Sequence, residues 1–269
     1  MGQKIVLITG GSSGIGKSVG IYLKARGYKV YGTTRNLKNH SEFKDFELLE
    51  LDVRNVNSIS KAINTIKARE GGIDVLVNNA GIGITGPIEE TPNEEIQKTF
   101  ETNFYGPLNM MKAVLPLMRD QKEGIIINIT SIAGKMGLPY RGIYSATKGA
   151  LDLATEAMRL ETKGFGIELA TLAPGDFATN IASGRYHAPI LETSPYQKPY
   201  QKTLDLINAD VDEAGDPIAV ARKVYKIINS SSPHVHYTVG SFMQKFSIRL
   251  KKILPSKVYE NLLRNHYKL

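Results

Sequence analysis

A tyrosine and a lysine stand four residues apart in YSATK (Tyr144 to Lys148), at the start of a segment of helical apolar period. A lone serine, Ser131 in NITSIAG, precedes the tyrosine by thirteen residues. On a helix, positions i and i+4 share a face, so the phenol and the ammonium can reach one small volume. An unperturbed tyrosine has a pKa of about 10 and is a poor base at neutral pH. A neighbouring cation favours its anion. The chemistry these types offer is proton transfer at an oxygen, and it needs a hydride donor beside it and a fold that brings separate segments together.

The candidate donor site is VLITGGSSGIGKS, which holds two overlapping motifs. As G-x-x-x-G-x-G, Gly10, Gly14 and Gly16 make a strand-to-helix turn, and a dinucleotide pyrophosphate meets backbone N–H groups there. Gly10, Ser12, Ser13, Ile15 and Gly16 are then the candidate contacts. As G-x-x-x-x-G-K-[ST], Gly11 to Gly16 with Lys17 and Ser18 match a triphosphate loop whose lysine reaches the phosphates. A glycine-rich turn with no ligand is the third reading.

What must position these residues is legible in the apolar pattern. Short Val- and Ile-rich runs alternate with longer segments of helical period, the signal for βαβ units around a parallel sheet covered on both faces. The strand candidates are KIVLIT, KVYGTT, FELLEL, IDVLVN, GIIINIT, GIELATLA and HVHYTV. Helical period runs over Ile15–Arg26, Val56–Arg69, Asn93–Met118, Tyr144–Thr162 and Pro217–Ile228. Only RNLKNHSEFKD joins the second and third strands, too short and polar for a full covering helix. From 178 to 215 the periodicity weakens while Pro and Tyr accumulate, which reads as a substrate lid. Its neighbourhood carries the apolar residues Phe177, Ile181, Tyr186, Ile190, Leu191 and Tyr196. A hydride enzyme places ligand-shaped residues at successive strand ends, and they are present: Thr33-Thr34-Arg35-Asn36, Asp52-Val53, Asn78-Asn79-Ala80-Gly81, Thr130-Ser131 and Ala173-Pro174-Gly175.

In this order and at these separations, TGGSSGIG, NNAG, Asn103, Ser131, YSATK and PGDFAT resemble the short-chain dehydrogenase/reductase superfamily over Thr9 to Thr179. The ending LKKILPSKVYENLL resembles the 17β-hydroxysteroid dehydrogenase branch. The resemblance implies one doubly wound Rossmann domain over 1–269, an α/β fold with about seven parallel strands, helices on both faces and a helical extension over 241–269. It implies hydride transfer between nicotinamide and a carbonyl or secondary alcohol, with Tyr144 as acid or base. Lys148 lowers the phenol's pKa and donates to the nicotinamide ribose, Ser131 fixes the substrate oxygen, and Asn103 interrupts a helix and holds a relay water. Asp52 bonds the adenine, Val53 offers its backbone, Asn79, Ala80 and Gly81 pack along the adenosine, and Pro174, Gly175, Phe177 and Thr179 take the nicotinamide end. Thr33 and Thr34 stand where an acid would select a free ribose hydroxyl, and Arg35 after them points to NADP(H) over NAD(H). The apolar lid allows a steroid-, retinoid- or acyl-like substrate. A dinucleotide sensor without turnover and an extended-branch epimerase or dehydratase are the rivals, but no catalytic residue is missing and the glycine pattern and length fit the latter poorly. The segments carrying Asn103 and Tyr144 resemble those through which family members form homodimers and homotetramers.

The net charge of +8 on 269 residues hints at nucleic acid until it is mapped. From Lys245 onward, seven basic residues face one acid, Glu260, a net +6, so the body is nearly neutral and a nucleic-acid reading fails. With no cysteine there is no disulfide framework or thiol chemistry. The first residues run straight into the first strand, no run reaches the length of a membrane span, and a cytoplasmic protein is the expectation. His234 and His236 alternate along the seventh strand without an evident third ligand, so no metal is expected. In the tail, Phe242, Phe246, Leu250, Ile253 and Leu254 share a helical face before Pro255, and Val258, Tyr259, Leu262 and Leu263 repeat the pattern. The favoured reading is a cap packed on the domain or on another subunit. A basic amphipathic helix resting on anionic lipid is the alternative.

Overall fold

Strand β1 (Ile5–Ile8) is buried at every position, as a strand covered on both faces must be. The computed structural model describes residues 2–177, 184–212 and 215–269, without the side chains of 209–212. Beside β1 run β2 (Lys29–Thr34), β3 (Glu47–Glu50), β4 (Val75–Asn78), β6 (Gly124–Ile129), β7 (Ile167–Pro174) and β9 (His236–Val239). They form one parallel sheet of seven strands in the order β3-β2-β1-β4-β6-β7-β9. All seven sequence candidates are strands of this sheet. The order reverses between β1 and β4, and at this switch point the carboxyl ends of neighbouring strands diverge into a crevice.

Helices cover both faces. On one lie α2 (Val56–Glu70), α4 (Gly106–Gln121) and α5 (Gly142–Thr162), over a core of Leu7, Ile66, Leu76, Met111, Ile126 and Leu151. On the other lie α1 (Gly14–Lys24) and the helix Ile218–Ile228, over Val6, Ile8, Val19, Leu23, Val77 and Val224. The short second crossover holds only a 3-10 turn, Leu37–His40, as its length and polarity predict. Helix α3 (Asn93–Phe100) runs into α4 through a π turn, Glu101–Tyr105.

The segment 184–212 is more regular than its sequence implies. It contains α6 (Gln197–Asp212), which makes the helix Ile218–Ile228 α7, and the short strand β8 (Tyr186–His187), paired in parallel with β5 (Ile84–Thr85) outside the main sheet. Among the described side chains of α6, Tyr200, Thr203, Leu204 and Ile207 are buried, a helical spacing partly hidden by the hydroxyl group of Thr203. Pro199 falls in the first turn, where its missing N–H has no partner to lose. The chain ends in α8 (Phe242–Ile253) and α9 (Ser256–Tyr267).

Candidate active site

The glycine turn is built so that its backbone can meet a ligand. Gly10 and Gly14 have φ of 64° and 51°, the left-handed region that disfavours a side chain. A Cβ on Gly16 would collide with the carbonyl oxygen of Gly10 and the amide of Asn79. Ser13, the N-cap of α1, makes no side-chain cap bond, so the N–H groups of the first turn lack that partner. The turn is braced from behind. The Thr9 hydroxyl accepts from the N–H groups of Asn79 and Ala80 at 2.9 and 3.0 Å, and the Asn79 amide donates to the carbonyls of Thr9 and Gly10 at 3.0 and 3.1 Å. Thr33, 1% exposed, accepts from the N–H of Gly10 at 3.2 Å. The triphosphate-loop reading fails here: Lys17 points to the surface and pairs with Asp45 at 3.0 Å.

A cleft of about 390 Å³ runs from this turn past the end of β2. Gly10, Ser12, Ser13, Ile15, Arg35, Asp52, Val53, Asn79, Ala80 and Gly81 all line it, so the structure brings together the residues assigned to the adenosine side. Arg54 and His40, which the sequence reading missed, line it too. Arg54 engages both oxygens of Asp52, with Nη2 at 2.7 Å from Oδ2, and this hydrogen bonding holds the Asp52 carboxyl below its ordinary value despite burial. Asp52 therefore meets the cleft as half of an ion pair rather than as a free acceptor for adenine. The alternation Asp52-x-Arg54 on a turn was the available signal.

Four elements converge on the reaction centre. Ser131 follows β6 and begins a 3-10 turn, where its hydroxyl accepts from the N–H of Ala133 at 3.1 Å. Tyr144 and Lys148 lie in the first two turns of α5, with the Lys148 Nζ 5.9 Å from the centre of the Tyr144 ring. Asn103 sits in the π turn, fully buried, and exchanges two bonds with the backbone of Ile82, accepting and donating at 2.9 Å. Its amide also donates to the Thr147 hydroxyl at 3.3 Å. The π turn thus sets this side chain against the backbone just before β5. Pro174, Gly175 and Phe177 close the far wall of the pocket with Ser131, Tyr144 and Lys148. Thr179 and Ile181 lie outside the described residues.

The electrostatics differ from the sequence expectation. In the chain by itself burial pushes the Tyr144 phenol above its ordinary value, and the groups that oppose this are Arg141, a hydrogen bond with Ser131, and Arg185. Lys148 is instead bonded to the Ile129 carbonyl at 3.0 Å, and burial pushes its ammonium down to about 8, with Asp152 opposing. Arg141, Arg185 and Asp176 therefore belong to the site and were not found from sequence. Arg141 stands one helical turn before Tyr144, a spacing that was readable.

The two histidines of the seventh strand's sequence are engaged separately. His236 sets Nδ1 against the Thr171 hydroxyl at 2.9 Å and Nε2 against Glu156 at 2.8 Å, and His234 lies before the strand. Among the described residues no three metal-ligating side chains cluster.

A crevice at the switch point, ending at Ser131, Tyr144 and Lys148, defines a class of nicotinamide-linked oxidoreductases. Residues 4–189 match the family model of short chain dehydrogenases, and the chain belongs to that family. A protein of Bacteroides thetaiotaomicron named 3-ketodihydrosphingosine reductase is 37% identical over 99% of both chains. One of Ornithobacterium rhinotracheale named NADPH-dependent 3-dehydrocapnine reductase is 28% identical over 97% of this chain and 96% of its own. The solved structure described as ElxO with NADP bound superposes with a TM-score of 0.73 at 28% identity, over 88% of this chain and 97% of that one.

Proposed function

We propose that the protein catalyses NADP(H)-dependent interconversion of a ketone and a secondary alcohol on a long, apolar substrate. The observation that carries this reading is how three cavities share walls. The pocket of Tyr144 and Lys148 shares Ile15 and Asn79 with the dinucleotide cleft, and shares Ser131, Arg141 and Phe177 with an apolar chamber of about 780 Å³. Met136, Leu138, Leu250, Tyr259 and Leu263 are among that chamber's walls.

The residues present fit a dinucleotide. Ser13 leaves the first-turn N–H groups of α1 without a side-chain cap, and Arg35 stands with Arg54 in the cleft lining, where a 2′-phosphate gains from a guanidinium. The names of the similar NADPH-dependent reductase and of the NADP-bound structure support the same cofactor. Bound there, the reduced nicotinamide supplies hydride to the carbonyl carbon. Tyr144 donates its proton to the carbonyl oxygen, and the raised phenol keeps that proton available at neutral pH. Ser131 donates to the same oxygen and fixes its position, which orients the carbon. The positive groups Arg141 and Arg185 stabilise the phenolate left behind. Asn103 holds the Ile82 turn in place and by resemblance a relay water through which Tyr144 is reprotonated.

The named 3-ketodihydrosphingosine reductase supports a long-chain substrate with its ketone near one end, and the chamber supplies the volume for such a chain. Exposed Tyr105, Leu153 and Leu160, on the π turn and α5, support the homo-oligomer expected from family resemblance. The test is a series of ketones of increasing chain length, followed by NADPH and NADH absorbance. The reading expects kcat/KM to rise with chain length and NADPH to be preferred; a firm preference for NADH, or indifference to length, contradicts it.

A further inference from the structure

The apolar stripe of α8 divides in two. Its inner residues Ile248, Leu250 and Leu254 pack with Ile132, Met136 and Tyr259, and the Lys251 ammonium donates to the Lys135 carbonyl at 2.7 Å. At its start Ser241 and Gln244 form a capping box, and Gln244 donates to Asp176 at 2.7 Å. The helix is therefore seated, and packing on the domain accounts for this half.

It does not account for the other half. Phe242, Phe246 and Ile253 are 73%, 39% and 78% exposed, and the two phenyl rings stack on each other at 5.7 Å. At 3.6 residues per turn these three fall within an arc of about 40°, with Arg249, Lys245 and Lys252 following in order along one edge of it. None of the six lines the chamber, so the face points outward. On α9, Val258 and Leu262 are each 46% exposed. Apolar side chains exposed beside a row of cations match the interface of a bilayer carrying anionic lipid. A second copy fits less well: α8 carries Lys245, Arg249, Lys251 and Lys252 and no acid, so self-contact of this face would gather like charges with nothing on the helix to pair them. Among the described residues no helix is long and apolar enough to cross a membrane, so contact would be at the surface.

We propose that the outer face of α8, centred on Phe242, Phe246 and Ile253 and edged by Lys245, Arg249 and Lys252, docks on an anionic lipid surface. The inner side of the same helix walls the apolar chamber, so docking would put that chamber beside the bilayer. The docking does not depend on the catalytic reading.

The experiment is co-sedimentation of the full chain with vesicles of phosphatidylcholine alone and of phosphatidylcholine with phosphatidylglycerol. Partition into the mixed vesicles, weakened by salt and largely absent with phosphatidylcholine alone, is expected. Lys245→Glu/Arg249→Glu/Lys252→Glu removes three cations worth about fivefold each near a charged surface, so partition should fall by about a hundredfold or more. Phe242→Ser/Phe246→Ser/Ile253→Ser should also release the protein, while both variants keep wild-type turnover of a water-soluble ketone and so show that the domain is folded. Wild-type protein left in the supernatant with mixed vesicles overturns the proposal. So does a serine variant that sediments like wild type. A serine variant whose mass by light scattering drops to half, with no vesicle binding by wild type, assigns the face to a second copy instead.

Discussion

The Lys148 ammonium donates to the Ile129 carbonyl at 3.0 Å while its side chain is almost wholly buried. One strand end thus fixes the lysine, and the lysine in turn lies 5.9 Å from the Tyr144 ring. The arrangement has a cost that can be read in stability. Burial depresses Lys148 to about 8, against about 10.4 for a free lysine, so over that window the unfolded chain binds more protons than the folded one. Stability contributed through this group therefore rises with pH between about 8 and about 10 and is lowest below that window. In Lys148→Met the rise should vanish. Urea midpoints across the window, for wild type and variant, check this; parallel curves contradict it.

Arg141 opposes the burial that raises the Tyr144 phenol. Arg141→Gln should raise the phenol further, so alcohol oxidation, which needs the phenolate, should move its acid limb to higher pH. Ketone reduction, which needs the phenol, should keep its acid. The pH dependence of kcat/KM in the two directions measures both. An oxidative limb that stays put or moves down removes Arg141 from the proton-transfer site.

At the cofactor's far end, Arg35 and Arg54 have different tasks. Arg54 is committed to Asp52, while Arg35 is exposed at the cleft with no ion pair among those found within the described residues. Arg35→Ser should raise the KM for NADPH by about 10–100-fold, the worth of one charge-assisted contact, and leave NADH within about twofold. Equal effects on both dinucleotides would assign Arg35 to the surface.

Gly16→Ala tests the turn itself. The added methyl meets a main-chain carbonyl and a braced amide, neither of which can swing aside. Dinucleotide binding, followed by NADPH fluorescence, should be lost, and stability should fall by about 1–3 kcal/mol as the turn shifts. Retained fluorescence enhancement would place the cofactor elsewhere.

Much of this was legible in the residues because both periods were clean. Val- and Ile-rich runs such as IVLI and the VLV of β4 have no polar position to offer solvent, so they had to be central strands, and the strand ends then located the cleft. What was not legible depended on contacts between distant segments. The pairing of Ile84 with Tyr186 joins segments far apart in the chain. Arg185 enters the site only because the segment that leads into β8 packs against Gly83. Helix α8 shows one apolar stripe in sequence; only the packed domain reveals that Leu250 turns inward and Phe242 does not. The phenol's direction was misjudged for a related reason: spacing reports the nearby lysine, whereas desolvation is set by everything that closes over the ring.

The account rests on the Tyr144 hydroxyl as the proton donor to a substrate oxygen. The direct measurement is single-turnover ketone reduction by Tyr144→Phe under saturating NADPH, with cofactor affinity measured alongside. A loss of about 10²–10⁴ in rate with NADPH affinity nearly unchanged is the expected result for a general acid. Turnover at the wild-type rate would contradict it.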